Sequence, residues 1–148
     1  IELHPNLFKQ YGCKQVGSNG ELLEANKVVE GMGILAALIA AKPNNEFIKE
    51  CLDYFGNRHF VNPDGSLYTD IINPGIMATL AVKYGFRYID KTQVLDNNMI
   101  ILDSSVFAGN AATLSKQSYS MHYCDGSWRE KTLVQKLKSF IRNYFLVK

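Results

Sequence analysis

"NPGIMATLAVKYGF", residues 73 to 86, is the stretch that decides the predicted fold. It opens with Asn73 and Pro74, both typical of the first positions of a helix, and Gly85 is typical of a helix end. Between them, apolar residues recur at helical spacing: Met77, Leu80, Ala81 and Tyr84. The pattern predicts one helix that is capped by Asn73 and packs its apolar residues into the core.

The segments on either side predict a further helix and several short strands. Upstream, Asn44 or Asn45 caps a predicted helix that stops at Gly56, with apolar residues on one face: Phe47, Ile48, Cys51, Leu52 and Phe55. "NPDGS" at 62–66 predicts a turn. Downstream, strands are predicted at 93–95 and 99–102, separated by "DNN", and another is predicted in "SYSMHY" at 118–123.

Two more segments complete the predicted architecture. "GMGILAALIAA" at 31–41 is an apolar run whose length suits a central strand, although its alanines leave a helix open. From residue 128 or 129 to 145 the sequence predicts an amphipathic helix with a basic face, and its apolar stripe is Leu133, Leu137, Phe140, Ile141 and Tyr144. The predicted class is therefore α/β, a mixed sheet with flanking helices.

Composition limits the classes of protein to which the chain belongs. With 148 residues, 47% of them hydrophobic, the chain is long enough for one domain, predicted over 1–148. A net charge of only +2 predicts no nucleic-acid partner. Three cysteines without a Cys-x-x-Cys pair argue against a disulfide framework and a structural zinc site, and they favour a cytoplasmic location.

"SYSMHYCDGSW", residues 118 to 128, is the candidate site. His122 leaves a predicted strand, where its imidazole nitrogen can bind a divalent ion. The turn at Gly126 and Ser127 can present N–H groups and a hydroxyl to an anion such as a diphosphate, and Trp128 can donate its indole N–H. A buried strand followed by a turn and a core tryptophan remains the alternative interpretation.

The same stretch resembles the C-terminal signature of the DXD-containing sugar transferases, which include fungal initiating mannosyltransferases and bacterial capsular polysaccharide enzymes. Their version reads approximately T-Y-S-I-H-H-x-x-x-S-W. Less specific likeness extends over "AAKPNNEFIKECLDYFGNRHF", "NRHFVNPDGSLYTDIINPGIMATLAVKYGF" and "MIILDSSVF". The chain departs from the family at Tyr123, where a second histidine is common, and around Ala36, where an asparagine is usual.

The opening "IELHPNLF" resembles the phrase that follows the metal-binding Asp-x-Asp in this family. The resemblance therefore implies the C-terminal portion of a GT-A-like fold, without the half that bears the two aspartates. We expect these 148 residues to be inactive on their own.

The resemblance implies a retaining glycosyltransferase that uses a nucleotide-sugar donor, Mn²⁺ or Mg²⁺, and a glycan or lipid-linked acceptor. Carried over by position, His122 belongs to the metal environment, and the diphosphate contacts fall to Gly126, Ser127 and Trp128. Asp70 is a weaker candidate for an acceptor-side carboxylate, with a turn or capping role as its alternative.

Two questions stay open at the level of sequence. The alternative function is a non-catalytic α/β interaction or regulatory domain, whereas a metal hydrolase is disfavoured because one histidine cannot hold a catalytic zinc. Residues 129–148 carry a net charge of +5. The helix predicted there either packs its apolar stripe on the domain, or rests its basic face on an anionic membrane as a peripheral contact at the inner face.

Overall fold

The computed structural model describes residues 15–56, 58–68, 73–108, 113–122 and 132–138. Within these ranges, helices and short strands both occur, so the chain is broadly α/β, as the sequence predicts. The single domain over 1–148 stays a prediction.

Helix α1 spans Glu46–Phe55 and is capped as the sequence predicts. The side chain of Asn45 accepts a hydrogen bond from the backbone N–H of Ile48 at 3.0 Å, which satisfies an N–H group that the first turn leaves unpaired. The helix ends at Gly56. Of its predicted apolar face, Phe47 and Cys51 are buried and Ile48 is half-buried, whereas Leu52 and Phe55 are exposed. The inward face is therefore narrower than predicted.

Helix α2 spans Asn73–Ala81 and continues as a 3₁₀ turn over Val82–Tyr84. Asn73 is the first helical residue and not the cap, so the predicted start is one residue late. Gly85 ends the element with a φ of 92°, a conformation that favours glycine.

Burial on all sides distinguishes α2 from α1. The residues of α2 that are buried include small and large ones: Gly75, Ile76, Met77, Ala78 and Ala81. A helix that is apolar all round is typical of a position inside the core. Tyr84 just beyond it is buried as predicted, and its ring meets Phe47 of α1 edge-on at 5.8 Å.

An antiparallel hairpin covers one side of this core, where the sequence predicts it. Strand β1 spans Gln93–Leu95 and strand β2 spans Met99–Ile101, with Val94 opposite Ile100. The turn Asp96–Asn98 joins them, and its two asparagines have φ values of 57° and 55°, which asparagine tolerates better than most residues. Leu95 and Ile101 point inward, while Val94 and Ile100 face outward.

The apolar run at 31–41 is not a strand, so this prediction is wrong. Met32 and Ile34 are buried, but Leu38 and Ile39 are exposed. The backbone N–H of Ile34 donates to the carbonyl of Pro74 at 3.0 Å, so the run is paired with the first turn of α2 and not with a strand. Ala36 still packs against the core, and residues 37–41 are exposed.

The described strands therefore form two separate two-stranded sheets instead of one mixed sheet. The second sheet pairs β3, Phe107–Ala108, in parallel with β4, Ser120–Met121. Strand β4 is shorter than the strand predicted at 118–123.

Two tight turns are closed by single bridged residue pairs. The predicted turn at 62–66 lies between Val61 and Leu67, which pair antiparallel. A turn at 17–21 lies between Val16 and Leu22 in the same way. Within it, the N–H of Gly20 donates to Gly17 at 3.0 Å, and the carbonyl of Gly20 accepts from Tyr88 at 2.8 Å.

One cluster of buried side chains holds these elements together. Its members in the described ranges come from residues 16 to 101: Val16, Val29, Met32, Ile34, Phe47, Cys51, Met77, Ala78, Ala81, Tyr84, Phe86, Tyr88, Leu95 and Ile101. Strands β3 and β4 lie beyond it in sequence.

Residues 133–138 are helical and form α3. Thr132 is not helical: its hydroxyl accepts from the N–H of Gln135 at 3.3 Å, and the Gln135 side chain accepts from the N–H of Thr132 at 2.9 Å. This reciprocal pair is a capping box, so the described helix starts at 133. The prediction that Thr132 lies inside the helix is wrong, and the predicted start at 128 or 129 lies outside the described residues.

The apolar side chains at the start of α3 do not pack on the domain. Leu133 is 84% exposed and Leu137 is 60% exposed. The prediction that the stripe packs against the core is therefore wrong for these two residues, because no described element covers them. Among the described residues, no helix is both long and apolar enough to cross a bilayer.

Candidate functional site

His122 lies directly after the last residue of β4, and its side chain is exposed. The sequence interpretation of a histidine that leaves a strand agrees with this position. Because β4 runs parallel to β3, the carboxyl ends of both strands lie at the same edge. In open α/β sheets, ligands bind at the edge formed by the carboxyl ends of the strands.

Contacts to residues 105–107 fix the strand that precedes His122. The N–H of Tyr119 donates to the carbonyl of Val106 at 2.9 Å. The hydroxyl of Ser118 donates to the carbonyl of Ser105. The rings of Phe107 and Tyr119 lie 5.9 Å apart. Strands β3 and β4 and the residues beside them form a small parallel ribbon that includes His122. We call the described residues of 103–122 the ribbon.

Asp103 connects this ribbon to the β1–β2 hairpin. One carboxylate oxygen accepts from the hydroxyl of Thr92 at 2.7 Å, and the other accepts from the N–H and the hydroxyl of Ser105. Hydrogen bonds from Ser105 and Thr92 stabilise the charged form and therefore lower the pKa of Asp103 below 3.8.

A second carboxylate holds the same turn. Asp90 accepts from the backbone N–H of Ser104 at 2.8 Å and from its hydroxyl. Both aspartates are thus occupied by hydrogen bonds within the chain, which is the arrangement of a structural turn. The sequence interpretation missed this network, although an aspartate followed by two serines is a local signal for such a turn.

The other predicted site residues cannot be compared with His122. Asp70, Gly126, Ser127 and Trp128 lie outside the described residues, as does Tyr123. Of the predicted site, the structure therefore places only His122.

A separate polar cluster joins α1 to the end of α2, and the sequence interpretation did not find it. One carboxylate oxygen of Glu50 accepts from the ammonium of Lys83 and from the hydroxyl of Tyr84, the latter at 3.1 Å. The hydrogen bond to Glu50 raises the pKa of Lys83, and desolvation raises the pKa of Tyr84. These contacts form a cross-link between α1 and the end of α2, and they engage only one oxygen of Glu50. The other, Oε2, is buried without a hydrogen-bond partner among the described residues.

Cys51 is next to this cluster but is unsuited to nucleophilic catalysis. It is buried, and desolvation followed by the charge of Glu50 raises its thiol pKa, which keeps the sulfur protonated. The sequence interpretation of Cys51 as a core residue is confirmed.

Among the described residues, no group of three histidine, cysteine, aspartate or glutamate side chains could hold a metal ion. A metal site that included His122 would therefore need its other ligands from outside the described residues.

No family model, curated protein or solved structure matches the chain. Any functional assignment therefore depends on its residues alone.

Proposed function

We propose that these residues are the C-terminal portion of a retaining, metal-dependent glycosyltransferase with a GT-A-like fold. It would transfer a sugar from a nucleotide-sugar donor to a growing surface polysaccharide or another glycan. The proposal includes a cytoplasmic location, with an acceptor that is a glycan or a lipid-linked chain. Its first basis is the resemblance of "SYSMHYCDGSW" to the signature of the DXD-containing sugar transferases.

The observation that carries the proposal is the position of His122. It is exposed at the carboxyl end of β4, beside a parallel strand, and it precedes Gly126, Ser127 and Trp128 in sequence. Open α/β sheets bind ligands at the carboxyl edge, and we extend this rule by analogy to the two-stranded ribbon of β3 and β4. A histidine buried in the core would have argued against the proposal. The interpretation of His122 as a mere core residue does not fit its exposure.

His122 is one of the ligands that a divalent ion would need at this site. An exposed imidazole is a suitable ligand for Mn²⁺, and the resemblance assigns the remaining carboxylates to an Asp-x-Asp that does not occur in these 148 residues. When bound, Mn²⁺ or Mg²⁺ would offset the negative charge of the diphosphate leaving group.

The chain's own residues would bind and orient that leaving group. During transfer the bond between the anomeric carbon and the diphosphate oxygen breaks, and the electron pair leaves with the nucleoside diphosphate. The acceptor oxygen bonds to the anomeric carbon and loses its proton. Ser127 would donate its hydroxyl, and Trp128 its indole N–H, to diphosphate oxygens. Asp70 is the weaker candidate to accept the proton of the acceptor hydroxyl.

The first prediction compares two exposed histidines in the protein that contains this chain. His122→Ala should reduce turnover of its sugar nucleotide with Mn²⁺ by about tenfold or more, because a metal ligand is lost. The matched control His59→Ala, also exposed, should leave turnover unchanged. The assay screens a panel of sugar nucleotides with Mn²⁺ and then measures both variants with the active donor.

Equal turnover in the two variants would refute the role of His122. If no sugar nucleotide is turned over or bound, the result favours the alternative function, a non-catalytic α/β interaction or regulatory domain. That alternative has its own support, since Val94 and Ile100 form an exposed apolar pair on the outer face of the hairpin.

A further inference from the structure

Helix α3 presents apolar side chains to solvent on one side. Leu133, Val134 and Leu137 are all exposed, at 84%, 63% and 60%. At 3.6 residues per turn, these three fall within one sector of the helix surface. An exposed leucine is common by itself, but three on one face of a helix form a patch that requires an explanation.

Two lysines flank this apolar sector. Lys136 and Lys138 are exposed, and helical geometry places them on opposite sides of the sector, each about 100° from its centre. No ion pair between described residues involves either lysine. Gln135 lies opposite the apolar sector. The order around the helix is therefore lysine, apolar sector, lysine, glutamine.

The capping box stabilises the start of α3 through hydrogen bonds within the helix itself. Thr132 and Gln135 satisfy each other's backbone N–H groups, and the N–H of Lys136 donates to the carbonyl of Thr132 at 2.9 Å. The helix therefore has a fixed start that does not depend on packing against the domain. Its apolar face is formed before any partner arrives.

We propose that α3 docks on an anionic lipid bilayer and lies in the plane of its surface. Leucines would enter the boundary between headgroups and acyl chains, while the flanking lysine stems extend along it and place their ammonium groups among the phosphates. The inference goes beyond sugar transfer, because it concerns attachment and needs no catalytic residue.

Charge selects this occupant over a second protein chain. Residues 129–148 carry a net charge of +5, although the whole chain carries only +2. Two copies that met through α3 would bring these like charges together, which is unfavourable. An anionic membrane instead supplies opposite charge along the whole segment. Lysines on both sides of the apolar sector are also the arrangement typical of interfacial helices.

The test measures sedimentation of the protein with phosphatidylcholine vesicles, with and without phosphatidylglycerol. Wild-type protein should bind the anionic vesicles and bind neutral ones far more weakly, and added salt should weaken the binding. Leu133→Gln with Leu137→Gln should reduce partitioning by about tenfold or more, since glutamine retains helix propensity but not the apolar surface. Lys136→Gln with Lys138→Gln should have an effect of similar size.

Matched controls distinguish a specific effect of α3 from the effect of removing any exposed leucine or lysine. Leu52→Gln on α1 removes another exposed leucine, and Lys116→Gln removes another exposed lysine. Both should bind vesicles as wild type does. Because all the altered side chains are exposed, circular dichroism should show the same folded protein in every case.

Three results would overturn the proposal: no binding to anionic vesicles, equal binding to neutral and anionic vesicles, or α3 variants that bind like the controls. A concentration-dependent dimer that the leucine pair abolishes, without vesicle binding, would assign the patch to a second copy. None of these measurements involves sugar transfer, so the attachment and the reaction succeed or fail separately.

Discussion

At the scale of single residues, Gly33 is the position at which a missing side chain matters most. A Cβ atom there would lie 2.4 Å from the carbonyl carbon of Pro74 and 2.5 Å from its oxygen. That oxygen accepts the hydrogen bond from the next residue, Ile34. The buried part of the apolar run can therefore reach the start of α2 only through glycine.

Gly33→Ala should lower the free energy of unfolding by about 1–3 kcal/mol, because the backbone atoms of Pro74 cannot move aside as a flexible side chain would. Gly56→Ala is the matched control: its φ is −55°, and the nearest atom to an added Cβ is 3.4 Å away. The control should be unchanged or more stable by up to about 1 kcal/mol. Urea unfolding of the wild type and of both variants tests this prediction. Equal midpoints for all three would contradict the close approach of Gly33 to Pro74.

At the scale of elements, short-range chemistry fixes where helices begin. Asn45, one of the two capping residues that the sequence offers, caps α1 through its side chain. Thr132 and Gln135 cap α3 just as locally, and the spacing threonine-x-x-glutamine was available in the sequence. The sequence interpretation placed Thr132 inside the helix because the basic, amphipathic pattern extends back to residue 128 and obscured the cap.

Asn45→Ala should destabilise the protein by about 1 kcal/mol, since the N–H of Ile48 loses its acceptor. Asn44 is its neighbour and has a φ of 59°, which glycine adopts without strain. Asn44→Gly is therefore the control and should change stability by less than about 0.5 kcal/mol. Thermal unfolding followed by circular dichroism compares them, and an equal loss in both would assign the effect to the loop and not to the cap.

At the scale of the whole molecule, residues 16–101 and the ribbon that carries His122 are stabilised by different interactions. The first part shares the buried cluster, whereas the described residues of the ribbon are outside it. Hydrogen bonds from Thr92 to Asp103 and from Ser104 to Asp90 connect the two. The ribbon should therefore open before the core does.

Acid should release the ribbon selectively through Asp103. Its folded-state pKa is lowered, so its contribution is present above pH 3.8 and is lost as the pH falls through the folded-state value. Protection of the Tyr119 amide against hydrogen exchange, corrected for intrinsic rates, should be constant from about pH 6 to about pH 5 and should fall as the pH drops below about 4. The amide of Ile34, a buried core residue whose N–H donates to the carbonyl of Pro74, is the core reference.

Asp103→Asn should already have low protection of Tyr119 at the higher pH and should change little on acidification. Ser105→Ala removes the strongest donor to the carboxylate and should give an intermediate profile. A wild-type profile in both variants would rule out Asp103 as the link.

The sequence predicted the features whose causes are local. The cap of α1, the end of α2 at Gly85, and the hairpin with its asparagine turn all follow from residues a few positions apart. The strand prediction for 31–41 failed because the backbone of Ile34 bonds to the distant Pro74, a contact that no local pattern encodes. For the candidate site, the sequence placed His122 at the end of a strand but left its burial open. The contacts that hold this strand to residues 105–107, and those that join Ser105 to Asp103 and Asp103 to Thr92, were not predictable.

The turn at 17–21 also affects how the protein ages chemically. Asn19-Gly20 is the dipeptide that most readily loses the amide of asparagine, because the glycine nitrogen can attack the neighbouring side chain. Here the N–H of Gly20 is bonded to Gly17, and its carbonyl is bonded to Tyr88, a buried residue. The nitrogen is held away from that reaction as long as the chain stays folded. Deamidation at Asn19 would thus record the time a molecule has spent unfolded.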